Sequence, residues 1–410
     1  MIINKRICFQ FSIFVFLFLS CQNNVKTSTD IITINAWPES AENKKMSELF
    51  NKPEFIFLET NPNTLVGRIR KIEITKKFIV TLNDAPDYSI NVFSRDGIHI
   101  STFNRYGNGP CEYNSPQFII VNDPDSTIEL ISPVTNELIT YSLSGDCLEN
   151  IVFPVFGMDG IKISESEYLI YLSGIVTLEK NKLLTENIQL VDKKEGILVS
   201  YLPFETESGP AFLTISRDNF SRIFNKIYIS LSCYDTIYIF NPEDKLVIPK
   251  FYLDFNGHNI PSQLIREPYR TIGHFNKMAI DGNYVYGINS ARWGSNSLFF
   301  TFQFGEKAEK YYCLHSFSDG KSTIAKNICN DFIGEFFYHP IRTEDIPWAS
   351  FNDELFFCYD PGALKNIKKI AEEKMTRGQY LTWSNKYDSL LSIYSNLERD
   401  SNPILLKVNF

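Results

Sequence analysis

The chain has 410 residues, 44% of them hydrophobic and 21% charged, which excludes extended disorder and leaves room for one large core or two ordinary ones. Twenty Gly and 19 Pro exclude collagen-like and low-complexity classes, while 34 Phe and 21 Tyr lean toward β structure. The net charge is −8, and the first twenty residues hold two cations and no acid, so the rest stands at −10 and lacks the cationic surface that nucleic acid requires.

The N-terminus reads as an address. Asn4-Lys5-Arg6 precedes an apolar stretch from Ile7 to Leu19, too short to span a membrane and the right length for a secretory signal. It ends Phe18-Leu19-Ser20-Cys21, which resembles a bacterial lipobox. The expectation is a signal peptide over 1–20, lipidation at Cys21 and a polar tether over 21–50. The expected location is the cell envelope, as an outer-membrane lipoprotein held to the membrane through Cys21. No acidic run follows Cys21, so a periplasmic and a surface-facing position both stay open. Beyond Cys8 and Cys21 lie Cys111, Cys147, Cys233, Cys313, Cys329 and Cys358, none in a C-x-x-C pair. Their scattered spacing predicts buried thiols, although the compartment permits disulfides.

Residues 51–410 repeat one design. In 69–103, Ile72 and Ile74 alternate with Lys71, Glu73 and Thr75; Phe78, Val80 and Leu82 follow, then Ile90 and Val92, then Ile98 and Ile100. Period-two alternation in short runs, broken at 83–87 and at Asp96-Gly97, predicts a four-stranded antiparallel meander. The same plan recurs over 117–152, 159–202, 212–254 and 276–316, the last with strands at Lys277–Asp281, Tyr284–Asn289, Ser297–Phe304 and Lys310–His315. A sixth unit takes strands from Trp348–Phe351, Glu354–Tyr359 and Pro403–Asn409, and its fourth from Glu54–Leu58. Helical spacing over 361–398 predicts two short helices capping that last unit. The fold class is therefore all-β: a six-bladed β-propeller closed by its terminal strands, with a small helical insertion.

The stretch from Val66 to Ile72 and on to Phe103-Asn104-Arg105-Tyr106-Gly107-Asn108-Gly109-Pro110-Cys111-Glu112-Tyr113 resembles the six-bladed propeller lipoproteins of Gram-negative gut anaerobes, relatives of the NHL-repeat propellers. Their blades end in an aromatic-basic-x-Gly-x-Gly-Pro-Gly-Glu-Tyr/Phe turn, and here Cys111 replaces the third glycine. Tyr234–Tyr238 and Asn402–Leu406 also match. The resemblance implies fold and envelope location and little chemistry.

Local motifs give no reaction. Gly107-Asn108-Gly109-Pro110 lacks the third glycine and the helix of a phosphate loop and reads as a chain reversal. Asp123–Glu129 lacks the glycine and twelfth-position Glu of a calcium loop and reads as a hairpin turn. His99, His258, His274, His315 and His339 are far apart, no nucleophile elbow occurs, and no metal or cofactor is expected.

Topology supplies one candidate site. Loops joining second to third strands open on the same propeller face as the blade-to-blade connections. That face is expected to gather Asp84 and Tyr88; Arg105, Glu112 and Tyr113; and Arg292 and Trp293, with Asp87 nearby. Arg with aromatics suits sugar, peptide or carboxylate ligands. The structural alternatives are that Arg105 and Glu112 pair to brace a blade junction, and that Trp293 packs under 361–398. The functional expectation is a binding or interaction module for a glycan, peptide or protein; the alternative is an envelope lyase or hydrolase with an axial site. Missing catalytic spacing favours binding over an enzyme.

Overall fold

The computed structural model describes residues 30–410 except 63, 134, 174–176, 180–181, 185, 204–217, 233, 266–271, 335–345 and 399. Cys21 and the signal segment thus lie outside the described residues, as does Cys233.

Six antiparallel sheets form the blades of a β-propeller. In blade 1 the strands Ile69–Ile74, Phe78–Asn83, Ile90–Ser94 and His99–Phe103 pair in sequence order. Blade 2 runs from Ile120–Asn122 to Cys147–Val152, blade 3 from Asp159–Lys162 to Gly196–Pro203, and blade 4 from Phe220–Ile223 to Leu246–Asp254. Blade 5 spans Tyr286–Trp293 to Lys321–Cys329. The first strand of each blade is innermost: the inner strands of blades 2 to 6 are neighbours in succession, and that of blade 6 adjoins that of blade 1.

Each interface between adjacent blades holds its own apolar cluster, because alternate residues of a strand face opposite neighbours. In blade 3, Tyr168 and Ile170 face blade 2 while Leu169 and Tyr171 face blade 4. Burial on both faces explains near-continuous apolar runs such as Leu298–Phe302.

Blade 6 closes the ring. Ala349–Phe351, Glu354–Tyr359 and Ile404–Asn409 are joined by Asn51–Phe57, which pairs antiparallel with the C-terminal strand from Phe57 against Ile404 to Asn51 against Asn409. The expected terminal closure is what forms. Between its second and third strands stand three helices rather than two: Pro361–Lys374, Arg377–Lys386 and Asp388–Ser395. Asp360 caps the first through Ala363 N at 2.8 Å, with Pro361 at the position where a missing N–H is harmless. Leu364, Ile367, Ala371 and Trp383 pack with Phe357 and Tyr359, and Trp383 Nε1 donates to Gly334 O at 2.7 Å.

Four expectations need correction. Residues 30–50 are not a bare tether: Ile32–Asn35 adds in parallel to the outer strand of blade 4, and Glu42–Lys45 likewise to blade 5. Lys277–Asp281 is not a strand but the end of a helix, Ile272–Asp281, which buries Phe275 and Ala279 at i and i+4. Blade 5 instead takes its fourth strand from Lys321–Cys329. Cys111 and Cys147 form a disulfide, whereas Cys313, Cys329 and Cys358 are buried thiols as anticipated.

Candidate functional site in the axial cavity

Inner strands leave a polar edge toward the axis. In blade 1, Ile72 and Ile74 turn into the interface with blade 6 while Lys71 and Glu73 line the axis. The result is a cavity of about 580 Å³ walled by all six blades. Its wall runs from Lys71, Asp159, Asp218 and Trp348, near the starts of the inner strands, to the turns after them at Thr75, Asp123, Ser164 and Asn352.

A charge network crosses the deep end of this cavity. Lys71 Nζ lies 3.0 Å from Asp218, 3.4 Å from Glu73 and 3.9 Å from Asp159. Arg292 Nη2 reaches Asp218 at 2.9 Å and donates to Trp348 O at 2.8 Å. Asp159 Oδ2 accepts from Asn219 N at 2.7 Å. Blades 1, 3, 4, 5 and 6 are thus tied through five side chains and one carbonyl.

Burial sets the titration of these groups. Burial pulls the Lys71 ammonium down, but Asp218, Asp159 and Glu73 outweigh it and hold it above its usual range. Burial raises Asp218, yet Arg292 and Lys71 hold it well below the usual carboxylate range. For Asp159 burial wins over Lys71 and the Asn219 N–H, and it is pushed up to about 6. Glu73 is raised for the same reason, Lys71 opposing. Arg292 is only 5% exposed, and its Nε has no hydrogen-bond partner. Asp123 Oδ1, further along the wall, is also buried without a partner.

The seven residues singled out from sequence do not form one site. Asp84 is buried and bound by Arg68 and Arg70; burial raises its pKa, but those guanidiniums and the Ala85 N–H take it far below the usual range. Tyr88 is buried, its hydroxyl 2.8 Å from Ser115 Oγ and its ring stacked on exposed Tyr106 at 5.1 Å. Tyr113 is fully buried and donates to Tyr88 O at 2.8 Å. Arg105 and Glu112 each take a backbone partner, Arg105 Nε donating to Gly145 O at 3.2 Å and Gly109 N donating to Glu112 at 2.8 Å. Cys111, at φ 59°, holds the left-handed conformation that suits glycine in this turn.

Arg292 and Trp293 are not in a loop of that face but in the strand Tyr286–Trp293. Trp293 is 1% exposed and stacks on Tyr228 at 4.0 Å, between blades 4 and 5 rather than under residues 361–398. Arg292 points instead into the axial network. Sequence reasoning missed Lys71, Glu73, Asp159 and Asp218. The available signal was the polar half of the Lys71–Thr75 alternation, which marks a strand edge facing neither neighbouring blade. Among the described residues no cluster of three or more His, Cys, Asp or Glu is arranged to hold a metal, and no helix is long and apolar enough to cross a membrane.

The fold and its axial cavity define a six-bladed β-propeller. The chain belongs to the family described as a domain of unknown function (DUF4934), whose profile matches residues 29–409. It is similar to a solved structure from Bacteroides fragilis NCTC 9343 described as a putative exported protein, at 17% identity and a TM-score of 0.67, covering 93% of this chain and 99% of that one. A DUF4221 member from Bacteroides vulgatus is 11% identical, with a TM-score of 0.47 and coverage of 88% and 96%. A streptogramin B lyase is 12% identical, with a TM-score of 0.34 and coverage of 75% and 80%. The last two are too distant to carry an argument. No curated protein matches the chain.

Proposed function

We propose that this protein is an exported, lipid-anchored propeller of the cell envelope that binds a ligand in its axial cavity. The carrying observation is the cavity itself: about 580 Å³ at the axis, walled by all six blades with charged, hydroxyl-bearing and aromatic side chains. Binding is favoured over turnover because Lys71 and Arg292 are both held by Asp218. The enzymatic alternative has one observation behind it, since Asp159, held near 6 beside Lys71, is an acid–base group in reach of the cavity. Export is supported by the signal-like N-terminus and by the Cys111–Cys147 disulfide, which suits an oxidising compartment.

Two experiments test this. A glycan and peptide array probed with residues 22–410 is expected to give signals that Arg292→Gln and the cavity-filling Ser221→Trp both abolish. Signals indifferent to both variants would remove the cavity as the site, and product release that depends on Asp159 would favour the enzyme. For the anchor, Cys21→Ala is expected to move the protein from the membrane to the soluble fraction; retention in the membrane would overturn lipidation there.

A further inference from the structure

We infer that the axial cavity selects an uncharged carbohydrate of one or two rings. This rests on the ligand-binding reading above and names the class of ligand.

Charge balance comes first. Four cations and four carboxylates line the cavity, so an ionic ligand meets no net attraction there. To engage Lys71 or Arg292 as a counter-ion it must compete with Asp218, which already pairs with both. Uronates, sulfated sugars and phosphates are therefore disfavoured, and so is a short peptide with charged ends.

The polar groups of the wall are of both kinds. Lys162, Arg222 and Arg292 bring donors to it, and Glu73, Asp123 and Asp159 bring acceptors. A hydroxyl both donates and accepts, so a polyol serves both with one type of group. Ser164, Ser221 and Ser350 add neutral hydroxyls to the same wall.

The third observation is aromatic. Phe220, Trp348 and Phe351, all partly buried, line the cavity beside these polar groups. A pyranose has an apolar C–H face and a polar rim, and a wall alternating aromatic with hydrogen-bonding side chains matches both.

Calorimetric titration of residues 22–410 tests the inference. The probes are the neutral disaccharides maltose, cellobiose, lactose and N,N′-diacetylchitobiose, set against glucuronate, glucosamine and glycyl-alanine. At least one neutral disaccharide should bind saturably and show little response to added salt. Arg292→Gln should weaken it about tenfold or more, the loss expected for one charge-assisted hydrogen bond. Ser221→Trp, which removes space but no charge, should abolish binding and guards against Arg292→Gln failing to fold. If a charged probe or the dipeptide binds instead and both variants weaken it, the carbohydrate inference falls while the cavity stands as a binding site. If no probe gives heat that depends on Arg292 and Ser221, the inference and the reading beneath it both fall.

Discussion

Lys407 and Glu54, 353 positions apart in the chain, meet at 2.5 Å in the strand pair that closes the propeller. The contact is partly exposed and adds little by itself. The apolar side chains beside it matter more. Leu405 and Leu406 are fully buried, Leu405 in the interface of blades 6 and 1 and Leu406 in that of blades 5 and 6. Leu405→Ala is expected to destabilise the domain by about 2–5 kcal/mol, and deletion of 404–410 should prevent cooperative folding. Denaturant unfolding checks both; a deletion variant melting with the parent would refute the closure as a source of stability.

Trp293→Ala should cost about 3–5 kcal/mol, because it removes an indole stacked between Tyr228 and Phe317. Any effect on ligand affinity should then follow from loss of fold rather than loss of contact. Unfolding and binding measured on the same sample separate these. A variant of unchanged stability that no longer binds would restore Trp293 as a ligand contact.

The Cys111–Cys147 bond should contribute about 3–4 kcal/mol, the chain-entropy value for a loop closed across a separation of 36 residues. Cys147→Ser, or reduction of the parent, should lower the melting temperature, and reductant should leave the Cys147→Ser protein unaffected. A parent indifferent to reductant would show the bridge to be dispensable.

Asp159 predicts a pH dependence of definite sign. Its folded-state pKa, about 6, exceeds its ordinary value of 3.8, so the folded protein holds the proton more tightly than the unfolded chain. Stability attributable to this group is therefore present at low pH and lost as pH rises from 4 to 6. Asp159→Asn removes that loss. Its stability relative to the parent should climb over this window by up to about 3 kcal/mol, two pKa units of interaction. A stability difference that is flat between pH 4 and pH 7 would contradict the assignment.

Much of the architecture was legible because each blade is written locally. Alternation at 72–82 and 90–92, punctuated by Asp96-Gly97, specifies blade 1 without reference to any other residue. Two elements escaped for physical reasons. Lys321–Cys329 carries Lys, Ser, Thr and Asn at most positions, since an outer strand covered by Glu42–Lys45 needs few apolar side chains. Lys277–Asp281 reads as a strand in isolation because the faces of Phe275 and Ala279 show only when 272–281 is read together. The axial network was illegible for a different reason. Lys71, Asp159, Asp218 and Arg292 come from four blades, and no local spacing records that they converge.

The strands at the N-terminal end, two parallel and one antiparallel to their partners, have a consequence for the order of events at birth. Residues 32–35, 42–45 and 51–57 leave the ribosome before any blade, yet their partners are 251–254, 325–329 and 404–409. The first must wait until residue 254 has been made, the second until 329, and the third until the chain is almost complete. The strap that finishes the ring therefore also delays it: the propeller stays open at its leading end until its trailing end arrives.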